Sequence, residues 1–274
     1  MIPYFTIPSI HLFGPVSIHL YGVLMVLGIF LAYRVILKGA TDAGIARQEM
    51  QGALVWAFVA GTVSAHIIEV LLYQPELVRQ RGLLVFFQIF TGLSSIGAFF
   101  GGLLGLYVYF KRRHKPWMLH FSIIVEGFVV WWAFVRLGCA LSHDHLSAPT
   151  SFPLVFNYPS GPRHNLGFYE FLMVMLVLFP LTVIHRRRQT QPNDYVGAIL
   201  LAYGSLRFSL DFLRATDLPG SDPRYWGLTA AQYGCVGLAC AGVWILLSRA
   251  LVPTKNTRVV QLAQLTAPAG TRAQ

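Results

Sequence analysis

RLGCALSHDH, residues 136–145, closes an apolar segment that begins at residue 117. Its arginine, Arg136, follows tryptophan, phenylalanine and valine, and the chain then reaches two histidines, His143 and His145, on either side of Asp144. Ionisable side chains are costly in a membrane-grade segment and are kept there mainly where they pair or act on a substrate. The stretch therefore predicts a membrane span with a functional site at its end.

The composition of the whole chain indicates an integral membrane protein. Of its 274 residues, 55% are hydrophobic and 12% are charged, and the mean hydropathy is +0.57. These values lie outside the range of soluble domains. The formal net charge of +10 suits an anionic partner, but the basic residues stand in short loops between apolar segments, which is typical of contact with anionic lipid. We expect a lipid bilayer around the protein and no nucleic acid as partner.

Apolar segments of span length define the predicted fold. About 30 Å of hydrocarbon requires roughly 20 helical residues. Seven segments meet this length: 18–38, 52–73, 86–110, 117–142, 166–185, 194–214 and 227–251. The sequence therefore predicts an all-α polytopic membrane protein, with a single seven-span domain over residues 1–252 and a mobile polar tail over residues 253–274.

Lysine and arginine predict the orientation. Of the 21 basic residues, 14 fall in loops on one side, five on the other, and Arg136 and Arg207 lie in or at the edge of spans. Short loops rich in Lys and Arg stay in the cytoplasm, so the N-terminus is predicted outside and the C-terminus in the cytoplasm. The first basic residue is Arg34, which is unlike a cleaved signal peptide, so the first apolar segment is expected to remain as a span.

The sixth segment carries a polar stripe. Tyr203, Arg207, Asp211 and Arg214 follow one another at i, i+4, i+8 and i+11, a spacing that places them on one helix face. In a purely structural interpretation Arg207 and Asp211 neutralise each other. That interpretation does not explain the second arginine and the tyrosine on the same face.

The fifth segment begins with two polar pairs, Arg163-His164 and Tyr169-Glu170. Glu170 alone would fit a first helical turn, where the helix dipole favours an acidic residue. Arg163 and His164, however, are predicted at the depth of lipid phosphate, and guanidinium groups bind phosphate oxygens in a bidentate way. The combination favours a headgroup-binding role.

The cluster His143, Asp144 and His145 has three interpretations: an acid–base site, a structural tie and a metal site. On a helix the two histidines would point about 200° apart, and few further ligands are present to complete a zinc site. A histidine beside a carboxylate is a usable proton acceptor near neutral pH. Acid–base use is favoured, and we expect no metal.

Other polar and cysteine residues in the spans are expected to have structural roles. His66 and Glu69 can hydrogen-bond each other as a tie between helices. The cysteines are expected to serve as small packing residues. These structural candidates are His66, Glu69, Glu126, Cys139, Cys235 and Cys240.

Several dispersed motifs, taken together from Ile7 to Leu251, resemble the bacterial prolipoprotein diacylglyceryl transferases. The resemblance rests on FGPVSIHLYG at 13–22, GLSSIG at 92–97, RLG at 136–138, APT at 148–150, RH at 163–164 with YE at 169–170, and YG at 203–204 with Arg207, Phe208, Asp211 and Arg214. Motifs in this order are more specific than any one of them.

The resemblance implies a multi-pass enzyme of the bacterial inner membrane. Such an enzyme moves the diacylglyceryl group of phosphatidylglycerol to the lipobox cysteine thiol of a preprolipoprotein, whose signal peptide it must bind, and releases glycerol phosphate. No organic cofactor is implied.

The resemblance also implies roles for particular residues. By this resemblance, Arg136 and Arg207 are expected to be catalytic residues that bind the phosphate. The histidine of the family's third span falls at Ile96, so His143 or His145, oriented by Asp144, is expected to act as the base. Substrate binding is expected from Tyr21, Tyr203, Arg214, Arg163, His164, Tyr169 and Glu170.

Two other functional classes stay open at this level. Besides a transferase, the chain could be a paralogue that acts on another phospholipid headgroup or acceptor, or one that binds lipid without catalysis. A transporter using Glu126, Arg207 and Asp211 is disfavoured, because the polar residues gather at one face of the membrane and do not line a path across it.

Overall fold

The computed structural model describes residues 1–13, 16–88, 92–144, 146–218 and 224–251. It consists of two compact units, one made of residues 1–28 together with the chain from residue 132 onward, the other of residues 29–131. The single domain over residues 1–252 stays a prediction. The tail predicted at 253–274 lies outside the described residues.

Helices make up most of both units. The α-helices of the described residues are α1 Leu20–Asp42, α2 Arg47–Ile68, α3 Pro75–Arg81, α4 Ser95–Arg112, α5 Trp117–Ser142, α6 Leu166–Met173, α7 Phe179–Arg188, α8 Pro192–Leu210 and α9 Ala230–Leu251. A π-helical turn, Glu69–Tyr73, extends α2, and another, Val174–Leu178, joins α6 to α7. Short 3-10 turns follow α3 at Gly82–Phe87 and α8 at Asp211–Leu213.

The all-α polytopic membrane fold is confirmed. Among the described residues, six helical runs are long and apolar enough to cross a membrane: Leu20–Asp42, Arg47–Leu71, Trp117–Ser142, Leu166–Arg188, Pro192–Leu213 and Ala230–Ser248. Each corresponds to a predicted span. The count of seven and the orientation of the termini stay predictions.

The third predicted span, 86–110, differs from the observed helix. Helix α4 begins only at Ser95 and has 18 residues, so it is roughly 27 Å long at 1.5 Å per residue. Gly92 has a φ of +146°, which no helical residue adopts. Ser94 is extended, and its hydroxyl accepts a hydrogen bond from the Gly97 N–H at 3.4 Å. This N-cap sets the start of the helix.

In the unit of residues 29–131, α4 packs closely on α2 through glycines. A Cβ on Gly101 would lie 2.4 Å from the Ser64 hydroxyl oxygen, and one on Gly105 would lie 2.7 Å from the Ala60 Cβ. Gly101 and Gly105 therefore allow the close helix packing that small residues permit in a membrane.

In the other unit, a small sheet follows α5. It is formed by β1 Ile2–Pro3, β4 Leu146–Pro149, β5 Phe156–Tyr158 and β6 Gly161–Asn165, in the order β1-β5-β6-β4. Strand β1 runs parallel to β5, and the other neighbours are antiparallel. Two antiparallel pairs complete the strands of the described residues: β2 Ile10–Phe13 with β3 Val16–Ile18, and β7 Arg224–Tyr225 with β8 Leu228–Thr229. Strands β4, β5 and β6 thus occupy much of the proline-rich stretch between α5 and α6.

Two contacts join pairs of helices in this unit. Asn165 caps α6 by accepting the Phe168 N–H at 2.9 Å, and it donates to the Ala140 carbonyl of α5 at 3.0 Å. Helix α8 packs on α9 at Gly204, where a Cβ would lie 2.8 Å from the Ala239 nitrogen. As a result the end of α5 lies against the start of α6, and α8 lies against α9.

Candidate functional site

Glu170 in α6 bridges two arginines from different helices. Its Oε2 lies 2.9 Å from Arg136 Nε of α5, and its Oε1 lies 3.2 Å from Arg207 Nε of α8. The Arg136 contact is an ion pair whose N–H is not aligned as a hydrogen bond. Glu170 is only 1% exposed, and a carboxylate this deeply buried requires such cationic partners.

Asp211 forms the second carboxylate centre. Its Oδ1 accepts from Arg207 Nη1 at 2.7 Å and from Arg214 Nε at 2.5 Å, and its Oδ2 accepts from the Thr229 hydroxyl. Helix α8 ends at Leu210, so Arg214 is extended and does not continue the predicted helical stripe. The helical position predicted for Arg214 is wrong, because a 3-10 turn replaces the last helical turn. That turn still directs its side chain to Asp211.

These five residues, Arg136, Glu170, Arg207, Asp211 and Arg214, form what we call the arginine cluster. Three arginines against two carboxylates leave it with one formal positive charge. The accessible members are Arg214 and Arg136, whose side chains are 26% and 13% exposed. Among the described residues, no oxygen accepts a hydrogen bond from the terminal nitrogens of Arg136. The cluster therefore offers guanidinium donors and a net positive charge to an anion.

Aromatic rings surround this cluster. The Arg136 guanidinium carbon lies 4.2 Å from the centre of a Trp132 ring, within the range of a cation–π contact. Tyr203 meets Trp132 edge to face at 6.3 Å and interacts electrostatically with both Arg136 and Glu170. Tyr21, at the start of α1, interacts with Arg136 in the same way. Tyr21 and Tyr203, predicted from separate spans, are thus both brought to the cluster.

His143 is held by three hydrogen-bonding partners. Its Nε2 lies 2.9 Å from the Phe5 carbonyl, and its Nδ1 lies 3.0 Å from the Tyr158 hydroxyl and 3.3 Å from Asn165 Nδ2. A carbonyl only accepts and an amide nitrogen only donates. The neutral ring therefore carries its hydrogen on Nε2 and accepts at Nδ1, and both nitrogens are already engaged. Burial raises the pKa of Tyr158 to about 12, so this tyrosine stays protonated at neutral pH.

Asp144 is not among the hydrogen-bonding partners of the His143 ring. The carboxylate is exposed, and the partners of the His143 ring are a backbone carbonyl, a tyrosine and an asparagine. Tyr158, Asn165 and Phe5 hold the ring, because the sheet and the N-terminal segment pack against the end of α5. An orienting role of Asp144 stays a prediction. His145 lies outside the described residues.

Arg163 is not a member of the arginine cluster and pairs with Asp217 in the loops. It donates to both carboxylate oxygens of Asp217, at 3.1 and 2.5 Å, and to the Ser147 carbonyl at 3.0 Å. The guanidinium lowers the pKa of Asp217 below its ordinary value, and the carboxylate in turn raises the pKa of Arg163. Ser147 also pairs through its backbone with Arg214, which ties the sheet to the end of α8.

His164 and Tyr169 form a separate pair. The Tyr169 hydroxyl donates to the Leu154 carbonyl at 2.9 Å, so the His164 Nδ1 at 2.8 Å must donate its hydrogen to that hydroxyl. The lone pair of the neutral ring is then on Nε2. Burial lowers the pKa of His164, which keeps the ring neutral at physiological pH. Its Nε2 is therefore a competent proton acceptor.

In the unit of residues 29–131, His66 and Glu69 do not bond to each other. His66 Nε2 lies 3.0 Å from the Val85 carbonyl, and Glu69 accepts from Gln74 Nε2 at 2.9 Å. Both side chains therefore serve as ties, although to other partners than the sequence predicts. Within the described ranges, no group of three or more His, Cys, Asp or Glu residues is arranged for a metal ion.

Some residues that contact the cluster or its supporting elements were not predicted from the sequence. Asn165 directly precedes α6, and Thr229 and Gln232 have the spacing of a capping box at the start of α9, so both features carry a readable signal. Trp132 and Asp217 carry none, because an aromatic residue in a span and an acidic residue in a loop are both ordinary. Asp211 is part of the predicted stripe, but its link to Thr229 is not visible in the sequence.

Comparison with known proteins gives a consistent result. A family model described as prolipoprotein diacylglyceryl transferase matches residues 8–248. The chain is similar to proteins named phosphatidylglycerol–prolipoprotein diacylglyceryl transferase. One, from Methylibium petroleiphilum, is 28% identical over 258 residues, covering 86% of this chain and 94% of the relative. Another, from Aromatoleum aromaticum, is 27% identical over 244 residues, covering 86% and 92%. A third, from Idiomarina loihiensis, is 24% identical over 211 residues, covering 76% and 79%.

Proposed function

We propose that this chain, which belongs to the prolipoprotein diacylglyceryl transferase family, transfers the diacylglyceryl group of phosphatidylglycerol to a cysteine thiol of a prolipoprotein. The observation that carries this proposal is the arginine cluster, with its net positive charge and its two accessible arginines. A phosphatidylglycerol headgroup carries one negative charge on its phosphodiester. Its charge and its bidentate oxygens match the cluster.

The chemistry makes a positive site useful beyond binding. The acceptor sulfur forms a C–S bond with the terminal glyceryl carbon of the diacylglyceryl group, and the bond from that carbon to the phosphate oxygen breaks. Its electron pair leaves with the phosphate as glycerol phosphate, so the charge on the phosphate rises from one towards two during the reaction. Fixed guanidinium donors stabilise this developing charge in a site of low dielectric.

We assign the phosphate contacts to Arg136, Arg207 and Arg214. Glu170 and Asp211 hold the three guanidinium groups at fixed angles, so that little reorganisation is needed when charge develops. Tyr203 and Tyr21 interact electrostatically with Arg136. Their hydroxyl groups are proposed to hydrogen-bond the headgroup.

The proton of the acceptor thiol requires a base. His143 or His145 is the prediction from the sequence, and Ile96 replaces the histidine of the family's third span. The engaged ring nitrogens of His143 favour a structural role for this residue. His164 is added as a candidate base, because its Nε2 has no partner among the described residues. Separate His143→Gln, His145→Gln and His164→Gln variants distinguish the three.

We further propose that the protein resides in the bacterial inner membrane, with the cluster opening towards the outer leaflet. The excess of basic residues in alternate loops supports this orientation. Phosphatidylglycerol then enters from the bilayer. The second partner is the signal peptide of a preprolipoprotein, whose lipobox cysteine lies at the same depth.

A second candidate function is lipid binding without transfer. Ile96 favours it, since an isoleucine neither accepts a proton nor donates a hydrogen bond. The arginine cluster would then bind the headgroup as it does in the first candidate, but without a thiol acceptor.

Transfer from purified components tests the proposal. The protein in detergent is mixed with phosphatidylglycerol and a lipobox peptide, and mass spectrometry follows the peptide. We expect a mass increase equal to one diacylglyceryl group and release of glycerol phosphate, and no product when the lipobox cysteine is replaced by serine. Tight binding of phosphatidylglycerol without any product would favour the second candidate.

A further inference from the structure

We propose that Thr229 is a positioning residue for the transfer reaction, acting through Asp211 on Arg207 and Arg214. The inference rests on the proposed function, since it concerns the same arginines. It assigns to the residue that caps the last span a role in the reaction, beyond ending the β7–β8 hairpin and starting α9.

Thr229 and Gln232 form a reciprocal capping box at the start of α9. The Thr229 N–H donates to Gln232 Oε1 at 2.9 Å, and the Gln232 N–H donates to the Thr229 hydroxyl oxygen at 3.2 Å. Each side chain satisfies a backbone N–H that the first helical turn leaves without a partner. Both residues are almost completely buried, at 2% and 0% exposure.

The Thr229 hydroxyl therefore has one proton left to donate, and it donates it to Asp211. Since its oxygen accepts from the Gln232 N–H, the hydroxyl hydrogen points to Asp211 Oδ2. This contact joins the helix cap to the arginine cluster. A cap that served the helix alone would not need a buried carboxylate as its acceptor.

Asp211 is fully engaged by this arrangement. Arg207 and Arg214 both bind Oδ1, and among the described residues Thr229 is the one that donates to Oδ2. The carboxylate cannot rotate about its last torsion without losing either the hydroxyl or the two guanidinium groups. The hydroxyl thus fixes the plane of the carboxylate, and the carboxylate plane fixes the angle between the two arginines.

Gln232 adds a second tie between the same elements. Its Nε2 donates to the Phe208 carbonyl at 3.2 Å, one of the carbonyls that the last turn of α8 leaves without a helical partner. The capping box therefore holds the end of α8 both at a side chain, Asp211, and at the backbone.

Loss of the Thr229 hydroxyl is expected to lower turnover. In Thr229→Val the shape is kept, but Asp211 Oδ2 loses its donor, so Arg207 and Arg214 are no longer held for the charge that develops on the leaving phosphate. We expect kcat to fall about tenfold with a KM for phosphatidylglycerol within twofold of wild type. Thr229→Ser keeps the hydroxyl and is expected to retain at least half of the wild-type kcat.

The experiment is a double-mutant cycle on the full-length protein in detergent with Thr229→Val and Asp211→Asn. If Thr229 acts through Asp211, Thr229→Val lowers kcat about tenfold in the wild-type background and less than twofold in the Asp211→Asn background. Thr182→Val is the matched control, because it also removes a buried threonine hydroxyl from a span, one bonded to Tyr195. It is expected to leave kcat unchanged.

Three results would overturn the inference: equal losses in both backgrounds, an equal loss in Thr182→Val, or failure of Thr229→Ser to retain activity while its melting temperature is unchanged. Failure of the proposed function is seen separately, as an inactive wild-type protein. In that case the inference falls together with the proposed function on which it rests.

Discussion

Replacement of Glu170 by glutamine removes the charge that balances two arginines. Glutamine has almost the same shape, but its amide nitrogen would face one of the two Nε groups now 2.9 and 3.2 Å from the carboxylate. One attractive contact becomes a contact between two donors. The formal charge of the cluster rises from one to two, at a position with 1% exposure.

The magnitude follows from these two contacts. A hydrogen bond or ion pair to a charged group contributes about 1.5–3 kcal/mol, and breaking a buried pair from one side costs about 3–5 kcal/mol. If about 3 kcal/mol of this loss appears in the transition state, turnover falls roughly 150-fold, at 1.36 kcal/mol per factor of ten. Because the cluster becomes more positive, affinity for the anionic headgroup should not fall. We expect a much lower kcat with an unchanged or lower KM.

Glu49→Gln is the matched control. Glu49 also bridges two basic residues, with Lys115 Nζ at 2.7 Å and His120 Nε2 at 2.8 Å, but it belongs to the unit of residues 29–131. Loss of the Glu49 charge should lower the melting temperature and leave kcat of the folded protein near wild type. Transfer to a lipobox peptide is measured over a range of phosphatidylglycerol contents for both variants. If Glu170→Gln keeps more than half of the wild-type turnover, or if Glu49→Gln loses as much, the assigned role of the cluster is refuted.

Three further changes test single contacts of the site. Arg136→Lys keeps the charge but not the planar fork, so kcat/KM for phosphatidylglycerol should fall about 10–100-fold, as measured by titration of the lipid. Gly138→Ala places a Cβ 2.7 Å from the Tyr21 ring and should lower unfolding stability by about 1–3 kcal/mol, whereas Gly22→Ala, with open space around it, should not. If His164 is the base, activity rises with pH through a pKa that burial holds below the usual value of about 6.5, and His164→Gln abolishes that rise.

Much of the helical framework is predictable from the sequence, because span length and hydrophobicity act over whole segments. The polar stripe on the sixth segment is equally readable, since helical spacing places Tyr203, Arg207 and Asp211 on one face. Their convergence with Arg136 could be expected only from the family resemblance. No local rule joins residues that are this far apart in the chain.

Local backbone events account for the differences. Gly92 and Ser94 delay the start of α4 to Ser95, so the third predicted span begins too early. The 3-10 turn after Leu210 moves Arg214 off the helical stripe. In both cases hydrophobicity continues across the break, so a pattern based on hydrophobicity misses it.

The histidine cluster demonstrates a different limit. A histidine next to a carboxylate suggests an acid–base pair, but His143 turns to Tyr158 and Phe5, residues supplied by a strand and by the N-terminal segment. The partners of a side chain in a loop depend on long-range packing, which adjacent residues do not reveal.

The most direct test of the account is complementation in a bacterium. The host's own diacylglyceryl transferase is depleted, this chain is expressed, and growth and mature lipoprotein are followed, with insertion of each variant in the membrane checked by immunoblot. We predict that the wild-type chain restores growth and lipoprotein maturation and that Arg136→Ala, inserted to the same level, does not. A well-inserted wild-type chain that fails to restore maturation, or rescue by Arg136→Ala equal to wild type, would contradict the account.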